Sequence, residues 1–367
     1  MARTESGAGT RRNRGARRRG APWRRRPAGA GGHAYAALDL GTNNCRLLIA
    51  QPADEGFRVI DAFSRIVRLG EGVESQGVLS DAAMKRTVDA LRVCASKMRR
   101  RGVVRARSVA THACRRAANC DAFLERVAEE TGIALEIISA GEEAHLAVAG
   151  CLPLVDADAR WALVLDIGGG STELIWVGCG DGGHRVAGWT SLPCGVVTLA
   201  EAHGTDRVER DVYEAMVARV GALLDPFEAE HGVGREIATG NVQMLGASGT
   251  VTTVAGVHLG LVRYDRAAVD GCRLDFSDVD AVADRLLRLD RAARAAIPTI
   301  GPERADLVIA GCAVLDAIQR AWPVGSLRVA DRGIREGMLT AMMHADTHGG
   351  GAYLHIPGAA RRAPLVS

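Results

Sequence analysis

Two segments of this chain follow one plan: an apolar run, an Asp, an aliphatic residue, a Gly, a polar turn and a second apolar run. In the first, the run 35–40 leads through Asp39, Gly41, Thr42, Asn43 and Asn44 into 46–50. In the second, 163–165 leads through Asp166, Gly168, Gly169, Gly170, Ser171 and Thr172 into 174–177. A short apolar run, a Gly-bearing turn and another apolar run read as a β-hairpin. Asp39 and Asp166 stand 127 residues apart, far beyond any solenoid period. The pattern therefore predicts two similar α/β halves that face each other.

The intervening chain alternates helix and strand signals, as the α/β class requires. Ser80 can cap an amphipathic helix over 81–101 that stops at Gly102, and 103–110 reads as a strand. A helix over 121–130 and a strand over 134–139 follow, then an apolar helix behind Glu142 and Glu143. In the second half, 207–230 is helical by period, and 237–240 leads into Gly246, Ala247, Ser248, Gly249 and Thr250. Helices are expected over 252–259, 278–293 and 303–321, a strand over 327–330 and a last helix over 334–344. The halves divide as 34–146 and 147–345, with the last helix packing back on the first.

Charge is distributed unevenly. Residues 1–33 hold ten Arg and one acid, so the net +3 of the 367-residue chain conceals a mildly acidic remainder of −6. That Arg-rich stretch, with Trp23 as its one large apolar residue, is expected to be disordered, as is the Gly- and Pro-bearing end 346–367. It lacks the apolar core of a secretory signal and reads as a solvated tail, a basic arm for polyanions or a transit peptide. No apolar run reaches membrane-spanning length. Nine Cys are scattered without a CxxC pair, which removes a zinc cage and points to buried thiols in a reducing compartment, the cytoplasm.

The turns carry the chemistry. Consecutive backbone N–H groups, free of side chains at Gly168, Gly169 and Gly170, form a concave anion site, and Ser171 and Thr172 add hydroxyls. Thr42, Asn43 and Asn44 offer polar groups in the matching turn, and Ser248, Gly249 and Thr250 open a helix, another anion-binding geometry. Three such turns in one chain point to phosphate binding. Asp39 and Asp166 either hold a hydrated Mg²⁺ or bond their own turns. Glu142 and Glu143 either favour a helix N-terminus or supply a general base, and composition does not choose. Arg115 and Arg116 are solvated surface or a phosphate clamp.

The segments 35–44, 110–117, 137–144, 165–174, 246–250 and 329–337 occur together in an order that resembles the exopolyphosphatase/guanosine pentaphosphate phosphohydrolase (Ppx/GppA) family. The likeness covers about 34–345. It implies two actin-like domains, of the ribonuclease H-like fold shared with sugar kinases and Hsp70, around an interdomain cleft. It also implies hydrolysis of terminal phosphoanhydride bonds in polyphosphate or guanosine pentaphosphate. By that resemblance Glu143 is the base that activates water, Arg115 a phosphate clamp, and Asp39, Asp166 and Glu173 the acids near Mg²⁺ or Mn²⁺. A homodimer is a further implication, with no membrane and no specific nucleic acid as partner. The chain departs from the family pattern at Ala140 and Gly141, where Gly usually stands at the first of these positions, and at Asn44, where Ser is commoner. By the same resemblance it is expected to be a short form, without the extra C-terminal helical domain of longer members. Two other classes compete: an ATP-binding kinase or sensor of the superfamily, and a catalytically silent polyphosphate binder.

Overall fold

The computed structural model describes residues 33–54, 56–180, 183–204 and 207–348. The expected disorder of 1–33 and 346–367 therefore falls almost wholly outside the described residues. Within them stand two mixed sheets. The first consists of β1 Ala34–Leu40, β2 Asn44–Pro52, β3 Phe57–Ile66, β4 Val103–Ala110 and β5 Glu136–Ile137, in the order β3-β2-β1-β4-β5. The second consists of β6 Trp161–Ile167, β7 Thr172–Gly180, β8 Gly183–Leu192, β9 Val242–Ala247, β10 Arg273–Asp275 and β11 Ser326–Ala330. Its order, β8-β7-β6-β9-β11-β10, repeats that of the first sheet and adds β10 at the edge. In both, the first strand pairs antiparallel with the second and parallel with the fourth. The α/β class with two similar halves is what the molecule has.

Strand periodicity aims the two Asp residues inward. Ala36, Leu38 and Leu40 of β1 join a core with the helix Asp81–Arg100, while Tyr35 and Ala37 pack against the helix Ile334–His348. Asp39 shares the face of Tyr35 and Ala37. Likewise Leu163, Leu165 and Ile167 of β6 enter the large core of the second half, and Ala162 and Val164 face the helix Ala140–Cys151. Asp166 lies on that second face.

The helices 140–151 and 334–348 therefore lie between the sheets, and they touch backbone to backbone. A Cβ on Gly337 would stand 2.1 Å from the Leu146 carbonyl oxygen, and one on Gly150 2.1 Å from the Gly333 oxygen. Glycine inside a helix costs about 1 kcal/mol relative to alanine, and the close crossing explains its use at both positions. The connecting helix serves both halves, because Leu146 and Ala147 pack with the first sheet while Ala144, Val148 and Cys151 pack with the second.

Several expected elements have other boundaries. The segment 237–240, expected to lead into the third turn, joins the short helix Val233–Ile237 to the strand Val242–Ala247. The helix expected over 278–293 is two, Phe276–Leu287 and Arg291–Ala295, because Asp290 accepts the Ala293 N–H and caps a new start. The helix expected from 303 begins at Val308, and the strand over 134–139 is only Glu136–Ile137. The strands β3, β8 and β10 escaped the reading: β3 is an edge strand with little buried surface, so its apolar signal is weak.

Gly337→Ala should cost about 1–3 kcal/mol, because the methyl meets a backbone oxygen rather than a mobile side chain. Thermal or denaturant unfolding measures this, and an unchanged midpoint would remove the tight helix crossing from the account.

Candidate active site

One cleft opens between the two halves. It is lined by Asp39, Thr42, Asn43, Asn44, Glu143, Asp166, Gly168, Gly169, Gly170, Ser171, Glu173, Ser248, Gly249 and Thr250, so the three polar turns converge on a single space. The turns also touch one another. A Cβ on Gly169 would lie 3.0 Å from Thr42 Cβ, and one on Gly170 only 2.3 Å from the His112 ring. A side chain at Gly170 would displace the His112 ring, and one at Gly169 would press on Thr42. Ser248 has φ 106°, a conformation that a non-glycine residue adopts at a cost and that recurs at ligand sites.

Glu143 belongs to the first turn of the connecting helix, which Ser139 caps by accepting the Glu142 N–H at 3.1 Å. The Glu143 side chain is 7% exposed and accepts from Arg115 Nη1 at 2.8 Å; the same guanidinium donates to the Ile138 carbonyl at 2.9 Å. Glu142, one residue earlier, points about 100° away around the helix and pairs with Arg107. Of the two acids, Glu143 is the one in the cleft. Arg115 does not line the open space itself and reaches it through Glu143.

The two Asp residues occupy equivalent register positions with opposite neighbours. Across the hairpin Asp39 pairs with Arg46, whereas Asp166 pairs with Glu173. Burial pushes the Asp39 carboxyl up, and Arg46 restrains the shift. Burial, then Glu173 and Asp39, push Asp166 up to about 7. Glu143 is pushed well above its ordinary value by burial and by Glu173, with Arg115 opposing. Glu173 is 1% exposed; its Oε1 accepts from both Ser171 and Ser191 at 2.8 Å, and burial still raises it.

One expected phosphate contact is corrected. The Thr172 hydroxyl donates to the Cys194 carbonyl at 2.7 Å, fully buried and turned away from the cleft. Thr172 begins β7, so alternation along the strand sends it opposite to Glu173. Sequence reasoning also passed over Arg46, His112, Arg304, Arg332 and Arg335, which line the cleft. Arg332 is bound in a two-pronged pair with Asp270. Arg304 donates to Thr253 Oγ1 at 2.9 Å, and burial together with Arg46 lowers its proton affinity. Arg46 was legible from its position seven residues after Asp39; Arg304, in a different element, left no local signal.

Among the described residues no three His, Cys, Asp or Glu stand close enough to hold a metal ion by themselves. The donor set fits instead an ion held by one or two carboxylates and completed by phosphate oxygens, as Mg²⁺ prefers.

The family model for the Ppx/GppA phosphatase family matches residues 48–346. The chain belongs to that family. It is 32% identical over 322 residues to exopolyphosphatase 2 of Mycobacterium tuberculosis, covering 84% of this chain and 98% of that protein. It is 28% identical to the guanosine-5'-triphosphate,3'-diphosphate pyrophosphatase of Photobacterium profundum, where the match spans 86% of this chain and 60% of the longer relative. Among solved structures, an exopolyphosphatase-like protein superposes with a TM-score of 0.77 at 32% identity, over 84% of this chain and 97% of that one. The Ppx/GppA enzyme of Aquifex aeolicus gives 0.70 at 27%, over 84% and 99%.

The crowding of carboxylates has a measurable sign. Asp166 binds a proton in the folded chain up to about 7, whereas its ordinary value is 3.8. Between those values the native state holds more protons than the unfolded one, so metal-free stability falls as pH rises through the window. Thermal midpoints in chelator should decline across it, and Asp166→Asn should flatten the slope. An equal slope in both proteins would place the charge stress elsewhere.

Proposed function

We propose that the chain hydrolyses terminal phosphoanhydride bonds of inorganic polyphosphate, of guanosine pentaphosphate, or of both. The observation that carries this reading is the Glu143 carboxylate, held by Arg115 in one cleft with the paired Asp residues and the Gly-rich turns. Phosphoryl transfer asks a protein mainly for positioning and for neutralisation of charge. The amides of Gly168, Gly169 and Gly170, the hydroxyls of Ser171, Ser248 and Thr250, and the side chains of Thr42, Asn43 and Asn44 supply the cradle. Arg46, Arg304 and Arg335 add fixed positive charge around a polyanion.

Glu143 takes the proton of the attacking water. A carboxyl with raised proton affinity is a better base, and Arg115 keeps its oxygen aimed. Asp39 and Asp166 are the residues that would hold Mg²⁺ or Mn²⁺, with Glu173 behind Asp166 adding negative charge. Such an ion, when bound, would supply neutralisation of charge on the phosphate oxygens. The nine cysteines are all thiols, seven of them buried, which supports a cytoplasmic setting. Among the described residues no helix is long and apolar enough to cross a membrane.

Phosphate release from long-chain polyphosphate, guanosine pentaphosphate and ATP, measured side by side with Mg²⁺, Mn²⁺ or chelator, tests the reading. Release from neither of the first two would sink it. Glu143→Gln should lower turnover by about 10²–10⁴-fold while polyphosphate binding persists, the range a general base contributes. A variant that keeps a tenth of wild-type turnover would move the role away from Glu143. Asp166→Asn should lose activity that added Mg²⁺ does not restore, and Asp39→Asn should recover in part.

A further inference from the structure

The first turn of the connecting helix is held from three directions, and two are already accounted for. Ser139 caps it from within, and Arg115 grips Ile138 and Glu143 from the first half. The third contact comes from Trp189 on β8. In the register of the second sheet Trp189 stands opposite Ile175, and Ser191 opposite Glu173. Cross-strand partners share a face, and Ile175 packs with Ala144 and Val148 of the connecting helix. Trp189 therefore extends that face outward along the helix to the edge of the sheet, with 40% of its surface exposed.

The residue it meets is Gly141, two positions before Glu143. A Cβ there would lie 2.8 Å from Trp189 Cζ2 and 3.2 Å from Cη2. Gly141 is helical with an ordinary φ, so its backbone does not require glycine, and alanine would favour the helix by about 1 kcal/mol. The indole is the reason for a bare Cα. Glu143, two residues on and so about 200° around the helix from Gly141, approaches Glu173 of β7, and both acids are buried. The ring lies against that helix turn at Gly141, so it bears on how near the turn sits to the β7–β8 hairpin.

We propose that Trp189 is a positioning residue: its indole, set against the bare Cα of Gly141, spaces the first turn of the connecting helix from the β7–β8 hairpin and so aims Glu143 at the attacking water. The inference rests on the role given to Glu143. Misplacement of a reacting group by about 1 Å costs up to about 100-fold in rate. A loss of spacing should thus appear in turnover and not in substrate affinity.

Steady-state hydrolysis of polyphosphate by the full chain, with Trp189→Ala, Trp189→Phe, Gly141→Ala and the double variant Gly141→Ala/Trp189→Ala, tests this. Trp189→Ala should lower kcat about tenfold with KM within about threefold, and Trp189→Phe, which keeps a ring, should recover most of that loss. Gly141→Ala should cost turnover when the indole is present and little more once Trp189 is Ala, because the three atoms nearest the added methyl are then gone. Thermal midpoints, run alongside, should move little for so exposed a ring. A Trp189→Ala enzyme with raised KM and unchanged kcat would make the ring a substrate contact and overturn the proposal. So would a Gly141→Ala variant that is fully active, or one equally impaired in both backgrounds. Glu143→Gln in the same assay separates the two levels: if it stays active, the base assignment fails, whereas an inactive Glu143→Gln beside a fully active Gly141→Ala fails the Trp189 contact alone.

Discussion

Four largely buried carboxyl groups, those of Asp39, Glu143, Asp166 and Glu173, are gathered around one cleft. Like charges in a poorly solvated space repel, and burial alone already penalises each anion. The protein tolerates the arrangement because the groups sit on elements that cannot retreat. Asp39 and Asp166 end central strands, Glu143 is tied to Arg115, and Glu173 is tied to two serines. Behind them two helices cross with backbone against backbone at Gly150 and Gly337. The rigidity of that crossing keeps the four acids close together.

The duplication of the scaffold is structural, and the chemistry on it is not symmetric. Each half places an Asp near the end of its first strand, with a turn behind it and its cross-strand partner seven residues on. In one half the cross-strand neighbour is Arg46, in the other Glu173. One substitution of sign in a repeated plan divides the work. In the first turn Arg46 restrains the upward shift that burial gives Asp39; in the second Glu173 adds to that shift, and Asp166 is pushed up to about 7. The arginines that complete the cleft come from elsewhere, Arg304 from the turn before a helix and Arg335 from the helix that closes the chain.

Much of this was legible in the order of residues. A strand, an Asp and a Gly-bearing turn are local features, because two-residue alternation and the conformational freedom of glycine act within a few positions. Their recurrence announced two halves, and the residues of all three turns did meet in one cleft. The family resemblance singled out Glu143 in advance, although local pattern left Glu142 and Glu143 equivalent, both acids in the first turn of one helix. Only tertiary structure decided that Glu142 turns to Arg107 at the surface and Glu143 into the cleft. It also decided that the Thr172 hydroxyl serves the interior, that Arg304 joins a site distant in sequence, and that Trp189 rests on Gly141. The physical reason is common to all of these. Where a side chain points is set by the register of the strand or helix against its neighbours, and that register is a contact between segments far apart in the chain, which no short stretch of sequence contains.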